Sequence, residues 1–407
     1  MAITQNKMKI NLYIIRVLFI VIICSPIIGV SQILTPSTNI SITKTWSSQP
    51  SGYTYPINIS VPSGAVPPGG FPVCILLHGN GSQNLSTLAG PPMIGPGQFG
   101  SVLPCHILVA PTGFENSWNI CSENSDAPDV DMINDLVNIL QTYTTNVNPN
   151  KIRILGVSNG SGLTNRVFIE NTNTGIDMVC AIVSHLSDFN YRSGIFYKPN
   201  AATTSSVNVN CGYNVPVSPL MSRKYLSISN TNDNVIPYLG GTSLVGATFL
   251  PAETAAFNIA NYKGYSGGIL TSGTTTGTGT LAITAYSYLG GDVTHVKGAA
   301  FHQANATEKA YITSYFSDCV SVVTGIEDIQ SSNIEIYPNP ASNVVNIKAN
   351  SSLFGKDYIV NDNLGKVLLY GKITTENTSV DIFNLAKGIY FLTIKGNLKQ
   401  VLKLVKE

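Results

Sequence analysis

The sequence predicts an α/β domain, a largely parallel sheet with helices on both faces, followed by a small all-β sandwich. Three observations lead there. Apolar runs without polar alternation recur at Phe71–Leu77 and within His106–Pro111, a further strand-type run ends at Gly156, and segments with helical spacing separate them. Strands covered on both faces read this way, and alternating strands and helices imply a parallel sheet. The stretch Gly156-Val-Ser-Asn-Gly160 joins a strand-type run to a helix-compatible one, Leu163 to Asn171. Around residues 320–333 the texture changes to short strands and turns, and nine of the 23 Lys+Arg, all lysines, fall in residues 326–407.

The 407 residues suffice for two or three domains. Only 11% are charged and the formal net charge is +1. No basic field attracts nucleic acid and no acidic field attracts cations. The N-terminus has signal-peptide grammar. Lys7, Lys9 and Arg16 lead into the apolar run Val17 to Ile28, and Gly29 and Ser31 precede a cut before Gln32. That run is shorter than the roughly 20 apolar residues that span a bilayer. No other segment is long and apolar enough to span, so no stable membrane span is expected. The expected division is therefore residues 1–31 signal peptide, 32–325 α/β domain and 326–407 sandwich.

Short alternating strands occupy Ile40–Trp46 and Tyr53–Val61, and Pro62–Gly70 is a loop. Phe71–Leu77 and His106–Pro111 are buried strands. In Asp131–Thr145, residues Ile133, Leu136, Val137, Leu140 and Tyr143 fall on one helical side, with Pro128 and Asp129 at the start. Strands follow at Val179–Ser184 and Tyr225–Ser229, and a helix at Pro251–Tyr262. Leu281–Leu289 is a strand that Val293–Gly298 extends, and Ala306–Phe316 is a closing helix. Beyond residue 333, seven short runs from Ile334–Tyr337 to Gln400–Val405 are strands, with turns at Asn361–Gly365 and Lys395–Asn397.

Six cysteines follow the expected cut. Cys74 and Cys180 lie within strands and read as buried thiols. Cys105, Cys121, Cys211 and Cys319 lie in loops or near element ends. Cys105–Cys121 with Cys211–Cys319 is one of three connectivities that four cysteines allow. No C-x-x-C and no His/Cys cluster points to a metal, and no cofactor is expected.

The chemistry centres on Ser158. Gly156 and Gly160 carry no side chain, so strand and helix can pass closely and push the serine hydroxyl outward as a nucleophile. Leu77-His-Gly-Asn-Gly81 follows an early buried strand. The backbone N–H groups of Asn80 and Asn159 are the expected oxyanion donors. Asp233, in a polar loop after the strand at 225–229, is placed to orient a histidine. His302, between the last strand and the last helix, is the expected base, with His295 as the alternative.

Together these pieces resemble an α/β-hydrolase over residues 50–320. The similarity is to the extracellular polyhydroxybutyrate depolymerase, feruloyl esterase and acetyl xylan esterase group. It rests on His78-Gly79-x-Gly81, the Ser158 turn with Asn159, and the Asp233 loop ending Val-Ile-Pro-Tyr-x-Gly-Gly. Trp118-Asn119 before Asp129 and Asp131, and the late histidine, add to it. Departures are Ser229-Asn230 where His-Gly is usual, and Gly290-Gly-Asp-Val-Thr-His295 where Gly-Gly-His-Thr-Trp is usual. The resemblance implies a serine esterase acting on polysaccharide-linked acyl groups or polyesters. A prolyl-oligopeptidase-like peptidase and a non-catalytic binding protein on the same scaffold are the alternatives. Tyr337-Pro-Asn-Pro-Ala-Ser-Asn343, Gly388-Ile-Tyr-Phe391 and Lys403-Leu-Val-Lys406 resemble the C-terminal sorting domain of the type IX secretion system of Bacteroidetes. That resemblance implies the secretion machinery as partner and a secreted or cell-surface location. A carbohydrate-binding sandwich is the alternative, disfavoured because the tail has no tryptophan.

Overall fold

A computed structural model describes residues 32–81, 99–204, 208–317, 334–362, 366–394 and 400–407. The expected signal peptide, the 325/326 boundary and Cys319 lie outside the described residues. So do parts of the two hairpin turns expected in the tail. The chain forms two compact units, Met1–Ser321 and Val322–Glu407.

The first unit is built on a nine-stranded sheet. Its strands are β1 (Ile57–Ser60), β2 (Phe71–Leu77), β3 (Ile107–Pro111), β4 (Val147–Val157) and β5 (Ile176–Ile182). They continue with β6 (Lys224–Asn230), β7 (Thr274–Thr276), β8 (Ile283–Tyr288) and β9 (Val293–Gly298). The spatial order is β7-β8-β9-β6-β5-β4-β2-β3-β1. From β9 to β3 the six strands are parallel, while β1 and β8 run antiparallel to their neighbours β3 and β9. This is the α/β-hydrolase sheet. From β2 the chain steps outward to β3 and then returns to the other side of β2 as β4. The direction of winding therefore reverses at β2, and in open parallel sheets ligands bind outside the C-terminal strand ends at such a reversal.

Among the described residues the α-helices are α1 (Asp129–Leu140), α2 (Asn159–Glu170), α3 (Ala252–Tyr262) and α4 (Ala306–Tyr315). Side chains alternate across β2, so its seven buried residues serve two cores. Val73, Ile75 and Leu77 join Met132, Leu136, Leu163, Val167 and Ile259, from α1, α2 and α3. Cys74 and Leu76 join Leu226, Ile228, Ile312 and Phe316 on the opposite face, where α4 packs. Double coverage explains why these strands read as continuous apolar runs.

Val293–Gly298 does not extend the strand at 283–288 but folds back against it, pairing antiparallel from Thr284↔Lys297 to Tyr288↔Val293. Gly290 at φ 67° and Gly291 at φ 102° take the left-handed backbone of this reversal. The parallel strand that leads to His302 is thus β9. Asp188–Met221 carries a small three-stranded sheet, Tyr191–Arg192, Ile195–Pro199 and Tyr213–Val217. It is tied to the segment between β3 and the helix at Asp129–Leu140 by a Cys121–Cys211 disulfide, so the pairing Cys105–Cys121 is not adopted. Cys105 is also disulfide-bonded. Cys74 and Cys180 are buried free thiols, as expected.

The second unit is all β. Ile334–Tyr337, Val344–Ala349 and Asn377–Asp381 form one antiparallel sheet. Val367–Lys372, Asp357–Asn361, Gly388–Ile394 and Gln400–Lys406 form the other. Val345, Ile347, Val360, Leu392 and Leu404 share its core.

The crossing of α2 over β2 and β4 depends on two glycines. A Cβ at Gly160 would collide with the backbone oxygens of Leu77 and His78, and one at Gly156 with the Gly160 carbonyl. Gly160→Ala is expected to lower unfolding free energy by at least about 2 kcal/mol. Gly268→Ala, where nothing lies within 4 Å, is expected to be nearly neutral. Urea unfolding followed by tryptophan fluorescence checks both; equal midpoints for Gly160→Ala and wild type would contradict the close-approach reading.

Candidate active site

Four loops leave the C-terminal ends of β2, β4, β6 and β9 on one rim of the sheet. They carry Asn80, Ser158, Asp233 and His302 respectively. The Ser158 backbone lies at φ 56°, ψ −120°. A non-glycine residue there is strained by roughly 1–3 kcal/mol and persists only where its surroundings enforce it. The enforcement is visible on both sides. The Ser158 N–H donates to the Ile182 carbonyl at 2.9 Å, and its own carbonyl accepts from Gly162 N–H at 3.1 Å. The turn leaves the side chain half-buried at the rim rather than packed inside.

The Ser158 hydroxyl lies 2.7 Å from His302 Nε2. Across the ring, His302 Nδ1 lies 2.8 and 3.0 Å from the two Asp233 oxygens. A carboxylate only accepts, so Nδ1 carries the ring proton. In the neutral ring Nε2 is then a lone-pair acceptor, and Ser158 donates to it. The Asp233 side chain is 3% exposed against 20% for His302. Asp233 also accepts the N–H groups of Val235 and Ile236 at 2.8 and 3.0 Å, which fix its loop. The three side chains form one directed line of hydrogen bonds.

His295, the alternative base, has another partner. It lies in β9 between Ser227 and Tyr286, and its Nε2 is 3.0 Å from the Tyr238 hydroxyl. Tyr238 donates onward to Glu253 at 2.9 Å, so His295 is the donor in that contact. Burial, then His185 and Lys297, push its pKa down to about 3. The structure brings His302, not His295, to Ser158.

Asn80 and Asn159 both line the cavity beside Ser158. Asn159 opens α2, so its N–H belongs to the first helical turn, where backbone donors have no helical acceptor. Its side chain is occupied elsewhere, accepting Trp118 N–H at 2.7 Å and donating to Trp118 carbonyl at 2.9 Å. The Asn80 loop is shaped by buried His78. Gly113 N–H donates to His78 Nε2 at 3.0 Å, so Nδ1–H donates to the Gly79 carbonyl at 2.7 Å. Trp118 Nε1–H holds the His78 carbonyl at 2.9 Å. Burial outweighs the bond to Gly79 and pushes His78 down to about 4, so the ring is neutral and able to accept.

Sequence reasoning missed one residue here. Asn230, fully buried at the end of β6, clamps the histidine loop from below. It accepts Ala300 N–H at 3.1 Å and donates to the carbonyls of Phe301 and Gln303 at 3.2 and 2.9 Å. Its position one step before the acid loop was the available signal. Those partners lie about seventy residues away, which no local pattern reveals.

The cavity beside Ser158 measures about 260 Å³. Its walls come from Ile120–Asn124, Ser184–Asn190 and the segment Ile236 to Phe249. Of the segment Asp188–Met221, Phe189 and Asn190 reach it. Among the described residues, no group of three or more His, Cys, Asp or Glu is placed to hold a metal ion. No helix among them is long and apolar enough to cross a membrane.

Residues 335–407 match the family model described as the secretion system C-terminal sorting domain. A tail of this kind marks a chain for type IX export to the cell surface or extracellular space, with the secretion machinery as partner. No curated protein matches the chain. Among solved structures, the Bacillus cereus carboxylesterase is 12% identical with a TM-score of 0.40, covering 64% of this chain and 93% of that one. Butyrate-bound esterase Est2 of Thermogutta terrifontis is 14% identical with a TM-score of 0.34, covering 68% and 90%. PorZ, a surface component of the type IX system of Porphyromonas gingivalis, is 17% identical with a TM-score of 0.16, covering 18% and 11%. The fold assignment stands on the strand order and winding described above.

Three of the five histidines are buried and held neutral: His78 and His185 at about 4, His295 at about 3. In an NMR titration their ring signals should stay nearly unmoved from pH 8 to pH 5, where an ordinary imidazole would charge. Ring shifts with midpoints near 6.5 would contradict the burial described.

Proposed function

We propose that this chain is a secreted serine esterase that cleaves carboxylic esters through an acyl-enzyme. The observation that carries the reading is the continuous line from Ser158 Oγ through His302 to Asp233, at 2.7 and 2.8 Å. Ser158 Oγ attacks the ester carbonyl carbon while His302 Nε2 takes the hydroxyl proton. Negative charge gathers on the carbonyl oxygen, where the backbone N–H groups of Asn80 and Asn159 hold it. Each such donor is worth about 10²–10³ in rate. The imidazolium formed is stabilised by Asp233, which stays ionised. His302 returns the proton to the departing alkoxide, which leaves as the alcohol. Water then attacks the acyl-enzyme as His302 removes its proton, and collapse releases the acid and restores Ser158.

Esters of plant-wall polysaccharides and bacterial polyesters are the substrate classes proposed. The sorting tail supports an extracellular setting, where such polymers are found. The division into signal peptide 1–31, catalytic residues 32–325 and sorting domain 326–407 belongs to the same proposal.

Two variants of the full-length chain test the reading with p-nitrophenyl acetate and butyrate. Ser158→Ala is expected to lose at least about 10⁴-fold in kcat, and Asp233→Asn about 10⁴-fold with its geometry kept. Wild-type rates retained in Ser158→Ala would remove the nucleophile. Turnover of peptides but not esters would replace the esterase reading with the peptidase.

A further inference from the structure

The loop that carries His302 rests on a buried acid that the reaction itself does not touch. Glu308 lies in the first turn of α4 and is fully buried. Its Oε2 accepts the Asn305 N–H at 2.6 Å, and its own N–H donates to Asn305 Oδ1 at 2.9 Å. This reciprocal pair starts α4 and closes the far end of the histidine loop.

The other carboxyl oxygen is not explained by capping. Glu308 Oε1 is buried and accepts no hydrogen bond among the described residues. What it meets is a second acceptor. A Cβ at Gly298 would collide with both Glu308 Oε1 and Asn230 Oδ1, so the two oxygens flank one small space at the end of β9. The Asn230 amide is fixed in this orientation. Its Nδ2 spends both N–H groups on the carbonyls of Phe301 and Gln303, and its Oδ1 accepts Ala300 N–H. Turned round, it would set an oxygen against two carbonyls. Two oxygens facing each other in a buried space repel unless one carries a proton. An amide oxygen only accepts, so the proton belongs to Glu308.

The electrostatics agree. Burial outweighs the Asn305 N–H and the Asn230 amide and pushes Glu308 up to about 7. The ionisable groups on the elements packed around it are engaged or neutral. Lys297 lies 3.2 Å from Glu253, His302 2.8 Å from Asp233, and His295 is bonded to Tyr238. Within α4, Lys309 points away, as successive helical residues do, and burial raises the Tyr311 phenol further above its ordinary value.

We propose that Glu308 is a positioning residue for His302 that works as a neutral carboxylic acid, donating from Oε1 to Asn230 Oδ1 and so stiffening the clamp on the histidine loop. The proposal rests on the esterase reading, in which His302 is the base. Loss of the proton sets two acceptors against each other, loosens the clamp and draws the imidazole away from Ser158 Oγ. Activity therefore falls as pH rises through about 7. Stability has the same sign. The folded chain holds this proton more tightly than the unfolded one, where the carboxyl titrates near 4.5, so stability is lost from about pH 4.5 to above pH 7.

Glu308→Gln tests this in the full-length protein, because glutamine keeps the shape, accepts from Asn305 and donates to Asn230 at every pH. The wild-type kcat/KM for p-nitrophenyl butyrate, relative to that of Glu308→Gln, should fall about tenfold or more from pH 6 to pH 9, chiefly through kcat. Over the same interval the wild-type urea midpoint, read from Trp46 and Trp118, should drop by roughly 0.5–1 M relative to Glu308→Gln. A level activity ratio overturns the positioning role, and midpoints that move together overturn the neutral acid. Should Glu308→Gln not fold, the wild type decides alone: a kcat that stays level from pH 7 to pH 9 overturns the proposal. If no ester is cleaved, the urea series still reads the proton, and NMR of the His302 ring reads the clamp. A difference between the two proteins' ring signals that opens with rising pH keeps the clamp while the esterase reading falls; a constant difference removes it.

Discussion

The backbone of one residue governs the rest. Ser158 at φ 56° and ψ −120° turns the chain from the end of β4 into α2 within a single step. That turn is possible only if the helix lies almost on the strands, which Gly156 and Gly160 permit. The strain is local, and the sheet bears it through the Ser158 N–H bond to Ile182. The outcome is a half-buried hydroxyl at the sheet's rim, 2.7 Å from His302 Nε2. An activated nucleophile needs this, because reach to a base is a matter of tenths of an ångström. The reversal of winding at β2 then places the Asn80 loop beside it.

The five histidines show how burial divides one residue type into separate tasks. His78 and His295 are both buried and neutral, the first shaping the Asn80 loop through both ring nitrogens and the second bonded to Tyr238 through Nε2. His106, just before β3, lies 2.7 Å from Arg153 of β4. His185 is buried and neutral, with Nδ1 3.4 Å from the Ser229 hydroxyl. Only His302 joins a hydroxyl on one side to a carboxylate on the other. A proton-transferring imidazole needs both, since the carboxylate fixes the tautomer and the hydroxyl supplies the proton.

Much of this was legible in the sequence, for physical reasons that can be named. Double-sided burial left continuous apolar runs at β2 and β3, and the turn at Ser158 left its two glycines. Asp233 and His302 were legible as polar breaks after strands, because parallel strands deliver their loops to one rim. What was hidden depends on contacts between distant residues. The β8–β9 reversal hinges on glycine conformation at 290–291, which a run of strand-type residues conceals. The Cys121–Cys211 link needed the fold to choose among pairings. Asn230 is marked only by its place before the acid loop, while the carbonyls and N–H that its amide holds lie about seventy residues on. The cavity wall draws on Ile236 to Phe249 as well as on Ser184 to Asn190, since pocket walls are set by packing rather than by chain order.

The central claim is that the Ser158 hydroxyl is made nucleophilic by His302. Reaction with a fluorophosphonate followed by peptide mass spectrometry measures this directly, because only an activated serine attacks that phosphorus readily. A single adduct should form on the peptide carrying Ser158 and should vanish in His302→Ala while persisting in His295→Ala. An unmodified Ser158, or labelling that survives loss of His302, would contradict it.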